Sequence, residues 1–280
     1  MINSPHKIAF FPGCSLVTSA KENYESLKIV CNKFGVSLVE LEGWNCCGTS
    51  SAHSINLTLA INLALRNIAL AHDKKEMLVA CPSCFLRLKY AHTITGRDRR
   101  RIQDFEKRFK VPFPNNLRLI HILEFLNEHI KCIRPTHHLD GLKIAPYYGC
   151  MKNIPPNLRE NIFSSTMIES IIDMMGGESI IWPDSRRCCG TFLSAVKPEQ
   201  ITKIINHIFE SAVISGAECI VTACSMCHLT LEFRYSLKRS IPVFHFSELL
   251  AITFGENSHI DWFNRHIINP IPLLKQKGLI

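Results

Sequence analysis

The sequence lacks an uninterrupted hydrophobic run long enough to cross a membrane. Its longest apolar stretch, residues 55–71, is broken by Asn56, Asn62, Arg66 and Asn67, which predicts an amphipathic or buried helix. The first twelve residues contain no apolar segment of the kind that directs secretion, and we therefore expect a cytoplasmic protein, with association to a membrane through partner proteins as the alternative. A disulfide framework is then not expected, because the cytosol keeps thiols reduced.

Two common redox motifs are also absent. The chain contains neither a Gly-x-Gly-x-x-Gly dinucleotide loop nor a closely spaced Cys-x-x-Cys-x-x-Cys run of the ferredoxin type. We therefore expect that the chain does not take electrons directly from a nicotinamide cofactor. Any iron–sulfur cluster that it holds is expected to be of an unusual kind.

Length and composition are those of an ordinary globular protein. The chain has 280 residues, of which 46% are hydrophobic and 20% charged, and this balance excludes a disordered, collagenous or coiled-coil chain. The net charge is +8, and many basic residues lie in the segment 97–110. Because Asp98, Asp104 and Glu106 are interleaved with them, the segment is interpreted as a solvated helix face and no nucleic-acid partner is expected.

Cysteine is abundant, with 13 residues. Ten of them form two matching sets, in each of which a single cysteine is followed by Cys-Cys-Gly and then by Cys-x-x-Cys at nearly constant intervals. The first set is Cys14, Cys46, Cys47, Cys81 and Cys84, and the second is Cys150, Cys188, Cys189, Cys224 and Cys227. This regularity indicates an internal duplication. Cys31, Cys132 and Cys219 stand outside the pattern.

Each set is predicted to lie on the same succession of strands and helices. We expect strands over residues 7–11, 37–41, 77–80, 142–148, 179–182 and 219–222, and helices over residues 20–34, 54–72, 158–175 and 199–215. This alternation predicts an α/β fold of two pseudo-symmetric repeats, each a small parallel sheet with flanking helices. The ten cysteines follow predicted strands, so we expect them to line a crevice at the strand carboxyl ends.

The predicted domains follow the duplication. The first Cys-Cys-Gly domain is placed at residues 1–130, a linker at 131–141 and the second domain at 142–280. Residues 261–280 combine aromatic and aliphatic side chains with basic ones. They are interpreted as a docking tail, for which a partner, the chain itself and a membrane surface are the alternative targets.

Several polar residues recur near the predicted strand ends. His121 and Glu124 in the first half align with His245 and Glu248 in the second, and all four are interpreted as helix-start and packing residues.

Three further side chains stand next to the Cys-Cys-Gly turns. His53 is a candidate proton donor to a leaving thiolate, with a structural role as the alternative. Arg186 and Arg187 could hold a substrate carboxylate or phosphate. Alternatively, they could tune a metal centre through hydrogen bonds to sulfur.

Three kinds of site use clustered thiols. A structural zinc site takes four ligands, commonly from two Cys-x-x-Cys pairs, whereas each half offers one such pair, two adjacent cysteines and a single one. A thioredoxin-like dithiol at Cys81 and Cys84 would leave the other three cysteines without a role. An iron–sulfur centre with thiolate ligands accounts for every cysteine in the pattern, and zinc and the dithiol stand as alternatives.

Local sequence strings carry a family resemblance. The strings are Phe11-Pro12-Gly13-Cys14-Ser15, Trp44-Asn45-Cys46-Cys47-Gly48 and Cys81-Pro82-Ser83-Cys84. With the second copy of the cysteine pattern, they resemble the duplicated Cys-Cys-Gly domain found in the B-type subunit of heterodisulfide reductase, over essentially the whole chain. The same signature occurs in iron–sulfur subunits of glycolate and lactate oxidation and in the anchor-like subunit of some succinate–quinone oxidoreductases.

The resemblance implies a catalytic role for both cysteine sets. In that family each set binds a noncubane [4Fe–4S] cluster, and the two clusters face each other across a disulfide substrate. The implied activity is reduction of a small-molecule disulfide, or oxidation of thiols, by paired one-electron transfers. The implied partners are a ferredoxin-like protein of the C type and a flavoprotein of the A type from the same kind of complex. The alternative is an electron-relay subunit linked to quinone in a dehydrogenase complex, without disulfide chemistry.

Overall fold

The structure, a computed structural model, describes most of the chain. The described residues are 6–49, 52–130, 133–152, 166–238 and 240–280. For residues 257–260 only the backbone is described. Cys132 and the first part of the helix predicted over residues 158–175 lie outside these ranges. Within them, no helix has both the length and the apolar character that crossing a bilayer requires.

The first half is built on a four-stranded parallel sheet in the order β2-β1-β3-β4. Its strands are β1 His6–Phe11, β2 Val36–Glu40, β3 Glu76–Val79 and β4 Arg118–His121. Its helices are α1 Cys14–Val17, α2 Lys21–Lys33, α3 Ala52–Ile55, α4 Leu57–Leu70, α5 Pro82–Gly96, α6 Arg99–Phe109 and α7 Ile122–His129. Every strand is followed by a helix, as parallel pairing requires.

The second half repeats this arrangement in the order β6-β5-β7-β8. Its strands are β5 Lys143–Tyr147, β6 Glu178–Ser179, β7 Cys219–Thr222 and β8 Val243–His245. Its helices are α8 Met167–Met174, α9 Pro198–Ile214, α10 Ser225–Arg234, α11 Phe246–Thr253 and α12 Ile271–Gln276, with short 3₁₀ helices between them. The predicted α/β fold of two repeated parallel sheets is therefore confirmed.

Two predicted elements differ from the structure. The helix expected over residues 54–72 is divided into α3 and α4, because the Asn56 side chain accepts a hydrogen bond from the Leu59 N–H, 3.0 Å away, and starts a new helix. Strand β6 is shorter than the expected 179–182. Pro146 of β5 has no N–H to extend this ladder, and the Trp182 indole donates to its carbonyl over 2.9 Å instead.

The two halves bury hydrophobic side chains together in two clusters, each of which contains residues of both halves. Leu27 and Val30 of α2 belong to the same buried cluster as Phe246 and Leu249 of α11. The hydroxyls of Ser26 and Ser247 meet within this interface at 2.7 Å. Helices of the two halves therefore pack against each other. The predicted domain limits stay a prediction.

The C-terminal segment packs on the chain itself. Trp262, Phe263 and Leu274 are each at most 4% exposed and belong to the same core. The aromatic side chains that suggested a membrane-surface tail are therefore inside the protein, and among the three targets considered for residues 261–280 the structure places them on the chain.

The predicted helix-start residues are confirmed in both halves. Each is a capping box, in which a glutamate accepts a hydrogen bond from the backbone N–H of a histidine. The distances are 3.0 Å from His121 to Glu124 and 2.7 Å from His245 to Glu248. Burial lowers the pKa of His121 to about 4 and that of His245 to about 3, so both imidazoles are neutral packing residues near pH 7.

Glu124 is expected to make the stability of the chain depend on pH. Burial raises the pKa of its carboxyl from 4.5 to about 7, so the folded state resists ionisation and loses stability as the pH rises between these two values. Glu124→Gln keeps the cap, because the amide oxygen accepts the same N–H, but does not titrate. The melting temperature of the variant relative to wild type, followed by circular dichroism, should therefore be higher at about pH 8 than at about pH 5. An equal difference at both pH values would contradict this assignment.

Candidate metal centre

Both single cysteines follow the first strand of their half, which is one of the two inner strands of the sheet. Cys14 comes directly after β1 and a Pro-Gly turn. Gly13 has φ +79°, and a Cβ at this position would lie 3.2 Å from the Cys84 Sγ. A glycine is therefore needed both for the backbone conformation and for the close approach of the loop to the thiol.

The Cys-Cys-Gly turn of the first half sends its two thiols to different partners. The Cys46 Sγ lies 3.9 Å from the Cys14 Sγ, whereas the Cys47 Sγ lies 3.0 Å from the Cys84 Sγ. Gly48 has φ +75°, and a Cβ there would lie 2.9 Å from the Leu63 side chain. This turn therefore connects the single cysteine with the Cys-x-x-Cys pair.

The Cys-x-x-Cys pairs lie at helix N-termini. Cys81 is the N-cap of α5 and Cys84 lies in its first turn, while Cys224 and Cys227 occupy the same positions on α10. The partial positive charge of a helix N-terminus favours thiolates over thiols.

The second half repeats the geometry of the first. The Cys189 Sγ lies 3.4 Å from the Cys227 Sγ, and the Gly190 N–H donates to the Cys188 Sγ over 3.4 Å. Cys150 contacts Cys188, as Cys14 contacts Cys46. All ten cysteines singled out from the sequence are thus gathered, five at the carboxyl edge of each sheet.

The two sets meet each other at their Cys-x-x-Cys pairs. A hydrogen-bonding contact with Cys224 is the largest influence on Cys81, and it holds the pKa of Cys81 well below its usual range. Cys227 favours the thiolate of Cys224, but the negative charge at Cys81 and burial outweigh it and raise the Cys224 pKa. The ten thiols therefore form one connected group.

Charge limits how many of these thiols can ionise together. Contacts with neighbouring cysteines lower the pKa of Cys46 and of Cys188 to about 2, and the same contacts with burial raise those of Cys14 and Cys150. Five neighbouring thiolates become compatible only when cations lie among them. Five donors exceed the four positions of a structural zinc ion, and their chemistry fits an iron–sulfur cluster with several metal atoms.

The group is open to solvent on one side. Cys14, Cys46 and Cys188 are exposed, and Cys150 is partly so, whereas both Cys-x-x-Cys pairs are buried. A small molecule can therefore approach the single cysteines and the first cysteine of each Cys-Cys pair.

Sequence reasoning missed a threonine in each half. The Thr49 hydroxyl lies 2.9 Å from the Cys47 Sγ and donates to the Ser83 carbonyl over 3.2 Å. The Thr191 hydroxyl lies 3.0 Å from the Cys189 Sγ and 3.3 Å from the Met226 carbonyl. Each ties the Cys-Cys-Gly turn to the Cys-x-x-Cys loop. The signal was present in the sequence, because Cys-Cys-Gly is followed by threonine in both copies.

The other candidate residues have different surroundings. His53 is exposed on α3, and both of its expected roles stay predictions. The Arg187 guanidinium pairs with Asp184, while Arg186 is exposed. Cys31 is fully buried in the core, and burial raises the pKa of its thiol to about 12. Cys219 is equally buried, within β7.

Exposed apolar side chains follow the Cys-Cys-Gly turn in both halves. They are Ile55, Leu57 and Leu59 in the first half and Phe192, Leu193 and Val196 in the second. We call these six side chains the apolar rim. Each half therefore presents apolar surface a few residues along the chain from its exposed thiols.

Known proteins resemble the chain over most of its length. The 8-methylmenaquinol:fumarate reductase membrane anchor subunit of Wolinella succinogenes is 27% identical over 95% of this chain and 99% of its own. The B subunit of the ferredoxin:CoB-CoM heterodisulfide reductase of Methanosarcina mazei is 24% identical over 89% of this chain and 90% of its own. A solved structure of a hypothetical protein from Helicobacter pylori has a TM-score of 0.76 at 14% identity, covering 95% of this chain and 52% of that one, and this likeness supports the fold alone.

The family assignment comes from the repeated domain. The cysteine-rich domain named CCG matches residues 8–89 and again residues 144–232, and each match contains one complete five-cysteine set. The resemblance to the B-type subunit of heterodisulfide reductase that the sequence predicted is confirmed by relatives from several archaea. The chain belongs to the cysteine-rich CCG domain family and carries that domain in duplicate.

Proposed function

We propose that the chain is the iron–sulfur subunit of an oxidoreductase complex that reduces a small-molecule disulfide or, in reverse, oxidises two thiols. The observation that carries the proposal is the contact between Cys81 and Cys224, which brings the two five-cysteine sets together. Disulfide cleavage takes up two electrons and two protons and yields two thiols. A pair of adjoining one-electron centres suits that stoichiometry.

The ten cysteines are proposed as the ligands of two [4Fe–4S] clusters, five to each. When bound, the clusters would supply one-electron transfer. The divergent contacts of Cys46 and Cys47 support a noncubane type, because adjacent thiols that point to different partners suit metal atoms that are separated from each other. The chain's own contribution is to hold both sets at one place and to leave Cys14, Cys46 and Cys188 open to a substrate.

The helix N-termini below the buried pairs assist this role. They lie under Cys81 and Cys224, where they favour the thiolate form that metal ligands require. Thr49 and Thr191 keep each turn against its Cys-x-x-Cys loop. These contacts fix the donor atoms before any substrate arrives, which limits reorganisation during electron transfer.

Partners are needed to deliver the electrons. The heterodisulfide reductase relatives are named as ferredoxin-dependent enzymes. We propose that a ferredoxin-like partner protein donates the electrons and that a flavoprotein partner supplies them to it. We propose that this complex is located in the cytoplasm.

A second candidate is an electron relay to quinone without disulfide chemistry. Two observations favour it. The Wolinella succinogenes relative is named a membrane anchor subunit of an 8-methylmenaquinol:fumarate reductase, and the apolar rim exposes large apolar side chains a few residues along the chain from the exposed thiols. A lipid surface or a quinone would be recognised by such side chains.

The metal content of the chain tests the proposed ligands. The chain purified anaerobically is expected to contain about eight iron and about eight acid-labile sulfide. Replacing both Cys224 and Cys227 by serine is expected to lower each to about four, because only the second set loses donors. Iron and sulfide are measured by chemical analysis and the clusters by EPR.

Cys219→Ala is the matched control for the second half, and Cys31→Ala for the first. Both cysteines are fully buried but lie outside the two sets, so iron and sulfide should stay at the wild-type value. Zinc without sulfide in the purified chain, or an equal loss of iron in Cys219→Ala, would contradict the ligand assignment.

Reoxidation of the reduced complex separates the two candidate functions. The complex with its native partners, reduced by dithionite, is expected to be reoxidised by the coenzyme M–coenzyme B heterodisulfide or another small disulfide in a test panel. Two thiols should appear per disulfide, and the double serine variant should react at least about tenfold more slowly, because one of the paired centres is lost. Cys219→Ala should retain the wild-type rate.

Reoxidation by a water-soluble menaquinone analogue, with no reaction toward any disulfide, would favour the second candidate. In that case Ile55→Ser and Phe192→Ser should weaken the reaction with quinone, since both side chains belong to the apolar rim.

A further inference from the structure

A buried cluster of histidine and glutamate side chains lies behind the second Cys-x-x-Cys pair. His228 and Glu232 come from α10, Glu248 from α11, and His266 from the C-terminal segment. Ligand atoms of His228, Glu248 and His266 all lie within 4.8 Å of one another. The sequence alone did not predict that these side chains meet.

One nitrogen in this cluster has no hydrogen-bond partner. The His228 Nδ1 faces the amide of Asn23 at 3.1 to 3.2 Å, but its Nε2 is buried without a partner among the described residues. The nearest carboxylate oxygen, from Glu232, is 3.7 Å away, which is beyond hydrogen-bonding distance. His228 itself is 2% exposed, so water does not satisfy the nitrogen from the surface.

The other imidazole lies between two carboxylates. The His266 Nε2 is 2.9 Å from Glu248, and its Nδ1 is 3.2 Å from Glu232. Both carboxylates are buried, and Glu22, which is also buried, interacts electrostatically with Glu248. Three buried acidic side chains therefore share this small region.

A divalent cation would resolve both problems. With His228 and His266 neutral, a charge of +2 balances Glu232 and Glu248, and the unpartnered Nε2 of His228 gains a ligand bond. We propose that His228, Glu248 and His266 bind a divalent transition metal of the zinc class. Glu232 would accept a hydrogen bond from the second nitrogen of His266, as carboxylates commonly do for metal-bound histidines.

The ligand distances are compatible with this occupant after a contraction. Zinc bonds to nitrogen and oxygen measure about 2.0 to 2.2 Å and point to the corners of a tetrahedron, so two ligand atoms of one ion lie roughly 3.3 to 3.6 Å apart. The observed limit of 4.8 Å therefore requires the most distant ligand atoms to approach each other by roughly 1.2 to 1.5 Å. Two histidines with a carboxylate are a common zinc donor set.

The first half provides an internal comparison. Phe85 and Lys89 follow Cys84 at the same intervals at which His228 and Glu232 follow Cys227. The first half therefore has Phe85 at the position of His228 and Lys89 at that of Glu232. Only Glu124 corresponds to Glu248. The cluster is therefore specific to the second half, although both halves have the same fold and the same capping glutamate.

The proposed ion would have a structural role. It would join α10, which presents Cys224 and Cys227, to α11 and to the C-terminal segment that carries His266. This inference does not depend on the disulfide or quinone chemistry of the ten cysteines.

Metal analysis of anaerobically purified chain with a full complement of iron and sulfide tests the site. Zinc, measured by inductively coupled plasma mass spectrometry, is expected at about one per chain. Glu248→Gln and His228→Gln should lower zinc at least roughly tenfold while iron is unchanged. Glu124→Gln is the matched control, since it changes the corresponding capping glutamate of the half that lacks the histidines, and it should leave both metals unchanged.

A second measurement guards against variants that fail to fold. Wild-type chain treated with a chelator that leaves its iron in place should gain thermal stability when Zn²⁺ is added and not when Mg²⁺ is added. Absence of zinc from the wild-type chain together with no gain on adding Zn²⁺ would overturn the proposal. Zinc retained equally in Glu248→Gln and His228→Gln would also overturn it, because the ion would then lie elsewhere.

Discussion

Repulsion among buried thiolates is the constraint on which the rest of this protein depends. Ten cysteines are gathered where three parallel strands of each sheet end, and the two sets touch through Cys81 and Cys224. Hydrogen bonds from neighbouring thiols stabilise a few thiolates, such as Cys46 and Cys188. The thiols that donate these hydrogen bonds have raised pKa values. A set of five becomes fully ionised only around cations, and this is the physical reason for proposing a metal cluster as its occupant.

Parallel sheet topology explains why separate parts of the chain can build such a site. In each half the single cysteine follows an inner strand, β1 or β5. The Cys-Cys-Gly turn and the Cys-x-x-Cys pair follow the two strands on either side of it. Carboxyl ends of parallel strands lie at one edge of the sheet. Gly13, at positive φ, then allows the backbone to approach the Cys84 thiol, and Gly48 allows the Cys-Cys-Gly turn to pack against the Leu63 side chain. Duplication of this unit brings two sites together across the shared core.

Much of this could be predicted from local sequence signals. Strand and helix alternation, the cysteine spacing and the capping pairs at His121 and His245 are all features of short segments, and they indicated the repeats and the gathering of each set. The contact of Cys81 with Cys224 could not be predicted, because it depends on how two sheets pack. The same is true of Asn23 and His228, which lie 205 positions apart in the sequence.

The C-terminal segment shows a further limit of pattern reading. Its aromatic and basic residues fit a membrane surface as well as a buried contact, and composition does not distinguish these. The structure buries Trp262 and Phe263 in the core, since packing two large rings removes more apolar area from water than a peripheral contact does. His266 is carried inward with them and reaches two glutamates that no spacing rule connects to it.

Burial of Trp262 and Phe263 removes the large aromatic side chains of the C-terminal segment from the surface that a partner, a lipid or a substrate can meet. With Trp262 and Phe263 inside, large exposed apolar side chains remain after both Cys-Cys-Gly turns, where the exposed thiols also lie. Docking through the apolar rim and access to Cys14, Cys46 and Cys188 therefore involve neighbouring stretches of the chain. A partner bound there would shield the thiols from water and strengthen their electrostatic interactions with any cation among them. A protein docked there would therefore also set the polarity around the cysteines, and the same thiols would meet a more polar environment in the chain without it.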